Sequence, residues 1–156
     1  MAKKTFGEKI ALSLLNGFMR AVLHSPFHRV ASKSVLIISF TGRRSGRTIS
    51  TPISYLREGD MLTLFTSASW RKNFTGGALV RLWIQNREHT GWATPCEEDK
   101  QAVSGGLTRF LTHVSSDARY YGVTLDADGI PNPAQVTAAA QWVTMIQVKL
   151  STRGAR

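Results

Sequence analysis

A single cysteine, Cys96, in a chain of 156 residues excludes an internal disulfide and any zinc site of the multi-cysteine type. A reducing, cytoplasmic compartment is the simplest reading of that scarcity. Metal-ligand spacing is missing as well: His24, His28, His89 and His113 share no helical or strand face, and Pro26 interrupts the one pair that stands four apart. No metal site is expected. No G-x-G-x-x-G follows a strand and no Walker motif occurs, which disfavours a nucleotide-binding α/β sheet. Helix-turn-helix, zinc-finger and aromatic RNA-binding signatures are absent too, so nucleic acid is a disfavoured partner. Internal repeats and low-complexity segments are also lacking.

Acidic residues are almost missing from the first third. Residues 1–47 hold nine Lys and Arg against Glu8 alone, a net +8, while the remainder holds eleven basic and nine acidic residues, a net +2. An anionic partner facing the N-terminal third follows, with a phosphorylated ligand, anionic lipid and nucleic acid as the classes to weigh. The remaining composition, 42% hydrophobic and 19% charged, is that of one globular domain able to bury a core unaided.

No clean membrane-spanning run is present either. Between Thr5 and Leu23 the apolar residues Ile10, Leu14, Leu15, Phe18 and Val22 recur at helical spacing, but Glu8, Lys9, Asn16 and Arg20 occupy the other face. No small-residue cleavage site marks a signal peptide. Residues 1–24 therefore read as an amphipathic helix, packed on its own domain or lying peripherally on the anionic inner face of the cell membrane. Residues 25–156 read as a single domain.

Within that domain the strand signals are short and close together. Val35–Phe40, Thr48–Leu56, Met61–Thr66, Leu79–Ile84, His89–Cys96 and Trp142–Leu150 read as strands, and Pro52 marks an edge or bulge. Turns are expected at Thr41–Arg47, Arg57–Asp60 and Gln85–Glu88. Glu97-Glu98-Asp99 reads as first-turn charge for a helix running to about Val114. Five or six hairpin-connected strands make a mainly β, α+β fold: an antiparallel sheet curling into a small barrel with flanking helices.

The strongest chemical signal is Gly42-Arg-Arg-Ser-Gly-Arg47. Its glycines let backbone N–H groups face outward in a turn, and Arg43, Arg44 and Arg47 bring forked, permanent charge suited to phosphate or carboxylate. Ser45 is no nucleophile elbow, because the order is G-x-x-S-G. Trp83 and Trp92 read as core or cross-strand pairs, whereas Trp70 stands in a polar stretch after a strand, where ligand sites form. Tyr120 and Tyr121 could supply a proton or cap the barrel.

Thr41-Gly-Arg-Arg-Ser-Gly-Arg47, followed by Thr51-Pro52 and Tyr55-Leu-Arg-Glu-Gly-Asp60, resembles the deazaflavin-dependent nitroreductase family. Ser25-Pro-Phe-His28, Trp70-Arg-Lys-Asn73 and Gly76-Gly77-Ala78 match it as well. The resemblance implies a split β-barrel of the FMN-binding type that binds the deazaflavin cofactor F-420 and reduces quinones, nitro compounds or other conjugated acceptors. F-420 carries a phosphodiester and a tail of glutamates, which suits a Gly/Arg turn. By resemblance Arg43, Arg44, Ser45, Gly46 and Arg47 hold that arm, Thr51 and Pro52 flank the ring, and Trp70 and Asn73 line the space between cofactor and acceptor. Many members carry a Ser-Lys-Gly-Gly segment after the third strand. This chain reads Phe65-Thr-Ser-Ala-Ser-Trp70 instead, which leaves Ser67 as its candidate contribution. The amphipathic N-terminus is similar to a membrane-associated branch of the family. A barrel binding a fatty acid or other lipophilic ligand, and FMN chemistry on the same fold, are the alternatives.

Overall fold

Apolar side chains at every second position require a surface with one buried face, and the central strands supply it: Val80, Leu82 and Ile84 are buried while the alternating Leu79 and Arg81 are exposed. The computed structural model describes residues 34–152. Seven strands form one sheet: β1 (Val35–Thr41), β2 (Thr48–Ser54), β3 (Leu56–Glu58), β4 (Met61–Thr66), β5 (Ala78–Ile84), β6 (Arg87–Cys96) and β7 (Thr144–Leu150). A 3-10 turn, Ser69–Phe74, separates β4 from β5. Between β6 and β7 come helix α1 (Lys100–His113), a second 3-10 turn (Ser115–Tyr121) and helix α2 (Pro133–Ala140).

The strand order is β2-β1-β5-β6-β7-β4-β3, and every neighbouring pair is antiparallel. One cluster of buried side chains draws on β1 (Leu36, Ile38, Phe40) and also on β4 (Leu62, Leu64). Those strands lie four places apart in the sheet, so the sheet must curl to bring both onto one core. A second cluster lies on the outer face, where Phe65 of β4 and Met145 of β7 meet Leu107, Phe110 and Leu111 of α1 and Val136 and Ala139 of α2. The fold is thus the expected antiparallel split barrel with flanking helices.

Several details differ from the sequence reading. The run Thr48–Leu56 is two strands, because the chain leaves β1 at Ser54 and Leu56 begins pairing with β4. Buried Tyr55 sits at that changeover, its N–H donating to the Ser34 carbonyl at 2.8 Å. Seven strands result where five or six were expected. Trp92 is exposed, and Trp83 alternates with the inward residues of β5, so neither belongs to the inner core. Trp142 precedes β7 and is also exposed. Pro52 does lie on the edge strand β2, where its missing N–H costs no ladder bond. The amphipathic segment 1–24 falls outside the described residues.

Phe110, fully buried between Phe65 and Tyr121, ties α1 to the sheet. Phe110→Ala is expected to cost about 3–5 kcal/mol in denaturant unfolding. Leu79→Ala, on the exposed face, is expected to stay within about 0.5 kcal/mol of wild type.

Candidate functional site

Antiparallel parity decides which loops meet. With every neighbour reversed, β1, β6 and β4 run one way and β5 and β7 the other. The loops after β1, β4 and β6 and those before β5 and β7 therefore gather at one end of the barrel. That end carries the Gly42–Arg47 turn, the segment Ser67–Gly77, Glu97 and Thr144.

The Gly42–Arg47 turn closes on itself. The Gly42 N–H donates to the Arg47 carbonyl at 2.8 Å and the Gly46 N–H to the Gly42 carbonyl at 2.9 Å. Gly46 adopts φ +66°, a left-handed conformation that strains most L residues, with open space where a Cβ would stand. Arg43 joins the turn to the neighbouring segment. Its backbone N–H donates to Asn73 Oδ1 at 2.8 Å, and its guanidinium donates to the Thr75 carbonyl. Arg44 and Arg47 are exposed, and among the described residues no carboxylate pairs with either.

The Ser69–Phe74 turn carries the other candidates. Trp70 is half-buried, its ring 5.6 Å from both Phe40 and Phe74, so it closes the open end of the inner core. Asn73 Nδ2 donates to the Trp70 carbonyl at 2.8 Å while its Oδ1 receives Arg43. Ser67 is exposed at the entry to the segment, and its carbonyl accepts from Arg71 Nη1 at 3.3 Å. The fold therefore brings Arg43 against the stretch of chain that carries Ser67, Trp70 and Asn73. Thr51 and Pro52 lie midway along β2, where successive residues point to opposite faces of the sheet.

The tyrosines lie elsewhere. Tyr121 packs in the outer, helix-covered layer against Phe65, Phe110 and Trp142, the last stacked at 6.0 Å. Burial pushes its hydroxyl well above the usual tyrosine range, with Asp117 adding to the rise, which makes it a poor acid at neutral pH. Tyr120 is exposed beneath the Arg119 guanidinium.

One set of residues had escaped the sequence reading. Helix α1 begins at Lys100 and is capped by Asp99, whose Oδ1 accepts from the Ala102 N–H at 3.0 Å. Glu97 is thus no part of a helical first turn. Its Oε1 accepts from Thr144 Oγ1 at 2.7 Å and from Arg71 Nε at 3.1 Å. These bonds, Thr144 foremost, hold its carboxyl below the usual range. Arg71 was visible inside Trp70-Arg-Lys-Asn73, but nothing local marks Thr144 as its partner's anchor. Among the described residues no group of three His, Cys, Asp or Glu gathers to hold a metal ion, and no helix is long and apolar enough to cross a membrane.

A curled antiparallel sheet with helices on its outer face and a Gly/Arg turn at one end defines a split β-barrel. A 5-nitroimidazole antibiotic resistance protein from Bacteroides thetaiotaomicron is similar over 81% of this chain and 78% of its own, with 11% identity and a TM-score of 0.52. A domain-swapped dimer is similar over 88% and 98%, with 11% identity and a TM-score of 0.52. At such identities the likeness speaks for the fold alone. No curated protein matches the chain in sequence. Residues 19–125 match the F420H(2)-dependent quinone reductase family, and the chain belongs to that family. It is accordingly an oxidoreductase whose cofactor is F-420.

Tyr121 carries a pH signature of its own. The unfolded chain ionises tyrosine near the ordinary value of 10.0, while the folded state resists ionisation, so this stability is complete below that pH and lost as pH rises through it. Tyr121→Phe is expected to flatten part of the alkaline loss of stability, measured by urea unfolding at neutral pH and above pH 10.0.

Proposed function

We propose that the Gly42–Arg47 turn takes the anionic arm of F-420 and that the adjoining Trp70–Asn73 turn walls the place of a quinone acceptor. The observation that carries this reading is the pair of exposed guanidiniums, Arg44 and Arg47, without carboxylate partners among the described residues, on a turn whose glycine keeps its backbone open. Phosphate and carboxylate oxygens are what such forked donors pair with. When bound, reduced F-420 supplies the hydride, and the protein supplies position and charge.

The three arginines divide the work. Arg43 spends its guanidinium on the Thr75 carbonyl and so latches the turn. Arg44 and Arg47 remain for the cofactor. Trp70, half-buried at the same end of the barrel, offers an aromatic ring suited to a flat quinone. The raised hydroxyl of Tyr121 and its place in the helical layer speak against a proton-donating role. A lipophilic acceptor also fits a barrel that works at an anionic membrane surface. The basic excess and apolar stripe of residues 1–24 support that second element, each basic residue near anionic lipid adding about 1 kcal/mol.

Arg44→Ala is expected to weaken F-420 binding by about 1.5–3 kcal/mol in calorimetric titration, the scale of a charged hydrogen bond. Arg81→Ala, which removes the partner of Glu88 instead, should leave affinity unchanged. Wild-type binding should also weaken as salt rises. An absence of F-420 binding at low salt would sink the assignment of the turn. For the membrane element, the full chain should sediment with anionic vesicles and not with neutral ones, and combined Lys9→Glu and Arg20→Glu should abolish sedimentation. Equal behaviour with both lipids would remove the membrane from the picture.

A further inference from the structure

The segment Ser67–Thr75 is held at both ends. At its exit Asn73 and Thr75 receive Arg43, as described above. At its entry Arg71 Nη1 donates to the carbonyls of Ser67 and Ala68 at 3.3 and 3.1 Å, while its Nε reaches Glu97. Glu97 is in turn anchored by the hydroxyl of Thr144, a buried residue at the start of β7. An isolated ion pair with side chains 28% and 51% exposed would contribute little to stability. Here, however, one carboxylate oxygen joins the residue after β6, the start of β7 and the loop after β4, and that loop receives the backbone and guanidinium bonds of Arg43.

We infer that Glu97 is a positioning residue for the cofactor turn. Its carboxylate orients Arg71, Arg71 gathers the carbonyls of Ser67 and Ala68, and the Ser69–Phe74 turn so held presents Asn73 and Thr75 to Arg43. The inference rests on the reading that the Gly42–Arg47 turn takes the anionic arm of F-420.

Electrostatics and positioning make opposite forecasts, which gives the test its edge. Removing a negative charge near a cationic site should by itself strengthen anion binding or leave it unchanged. Loss of positioning should weaken it. Glu97→Ala is expected to weaken F-420 binding about five-fold or more, as for residues sharing one hydrogen-bonded network. Glu97→Gln, whose amide oxygen can still accept from Thr144 and Arg71, should recover most of that loss. Without any cofactor, Glu97→Ala should also speed backbone hydrogen exchange at residues 43–47 and 67–75 while leaving α1 unchanged. Unchanged or tighter F-420 binding by Glu97→Ala overturns the proposal, whatever the exchange shows. Should wild type itself fail to bind F-420, the cofactor assignment of the turn fails, and exchange at residues 43–47 then decides alone: acceleration supports the positioning link and wild-type protection overturns it. If Glu97→Ala does not fold, Thr144→Val removes the anchoring bond at nearly constant volume and is judged by the same two readings.

Discussion

Everything at the candidate site depends on one constraint: β1 and β4 must share a core although three strands separate them in the sheet. Burying Leu36, Ile38 and Phe40 against Leu62 and Leu64 forces the sheet to curl. Each such side chain contributes about 1.5–3 kcal/mol when taken from water, so no local turn preference competes with the curl. Once the sheet curls, antiparallel parity places the loops after β1 and β4 at the same end, and two turns remote in sequence become neighbours. The site is a by-product of core formation.

The join between those turns is polar, and its components differ in kind. The Arg43 N–H and guanidinium bonds fasten one loop to another, each with a modest net contribution of about 0.5–1.5 kcal/mol that rises where charge is involved. Arg44 and Arg47 contribute nothing of that sort. Two like charges on one short turn repel each other, and a chain with net +10 offers little relief from its own residues nearby. An anion at the turn removes this repulsion, so the arrangement costs stability when empty and returns it on binding. A binding turn would show this exchange, and a solvated hairpin would not.

How much of this could be read from the chain follows from the range of the interactions. Strands β1, β4 and β5 were legible to within one residue at either end, because alternation and β-branched runs are local. The Gly42–Arg47 turn was legible for the same reason: its glycines and arginines lie within six positions. Thr48–Leu56 misled because both its halves favour extended chain, and only the partner strand decides where one ends. Trp83 and Trp92 read as core or cross-strand residues, because hydrophobicity does not say which face of a strand is inward, and the structure makes them cross-strand. The Arg71–Glu97–Thr144 connection spans 26 residues on one side and 47 on the other, and no spacing rule reaches that far. Glu97 instead looked like helix-start charge, a role that Asp99 takes as the cap.

Under the proposed function, the end of the barrel accommodates two unlike molecules. Trp70 belongs to the inner core through Phe40 and Phe74, yet its own carbonyl is tied to Asn73, which receives Arg43. Apolar closure of the core and the arginine-bearing turn thus meet at one end of the barrel, joined through the four residues Trp70–Asn73. An anionic cofactor needs the second surface and a flat, lipophilic quinone the first. Neither surface could be moved along the strands without losing the other, since the aromatic edge is available only where the core ends and the open backbone only where the hairpin turns. The same geometry couples the two, because a small shift of the Ser67–Thr75 segment moves Trp70 and the acceptors of Arg43 together.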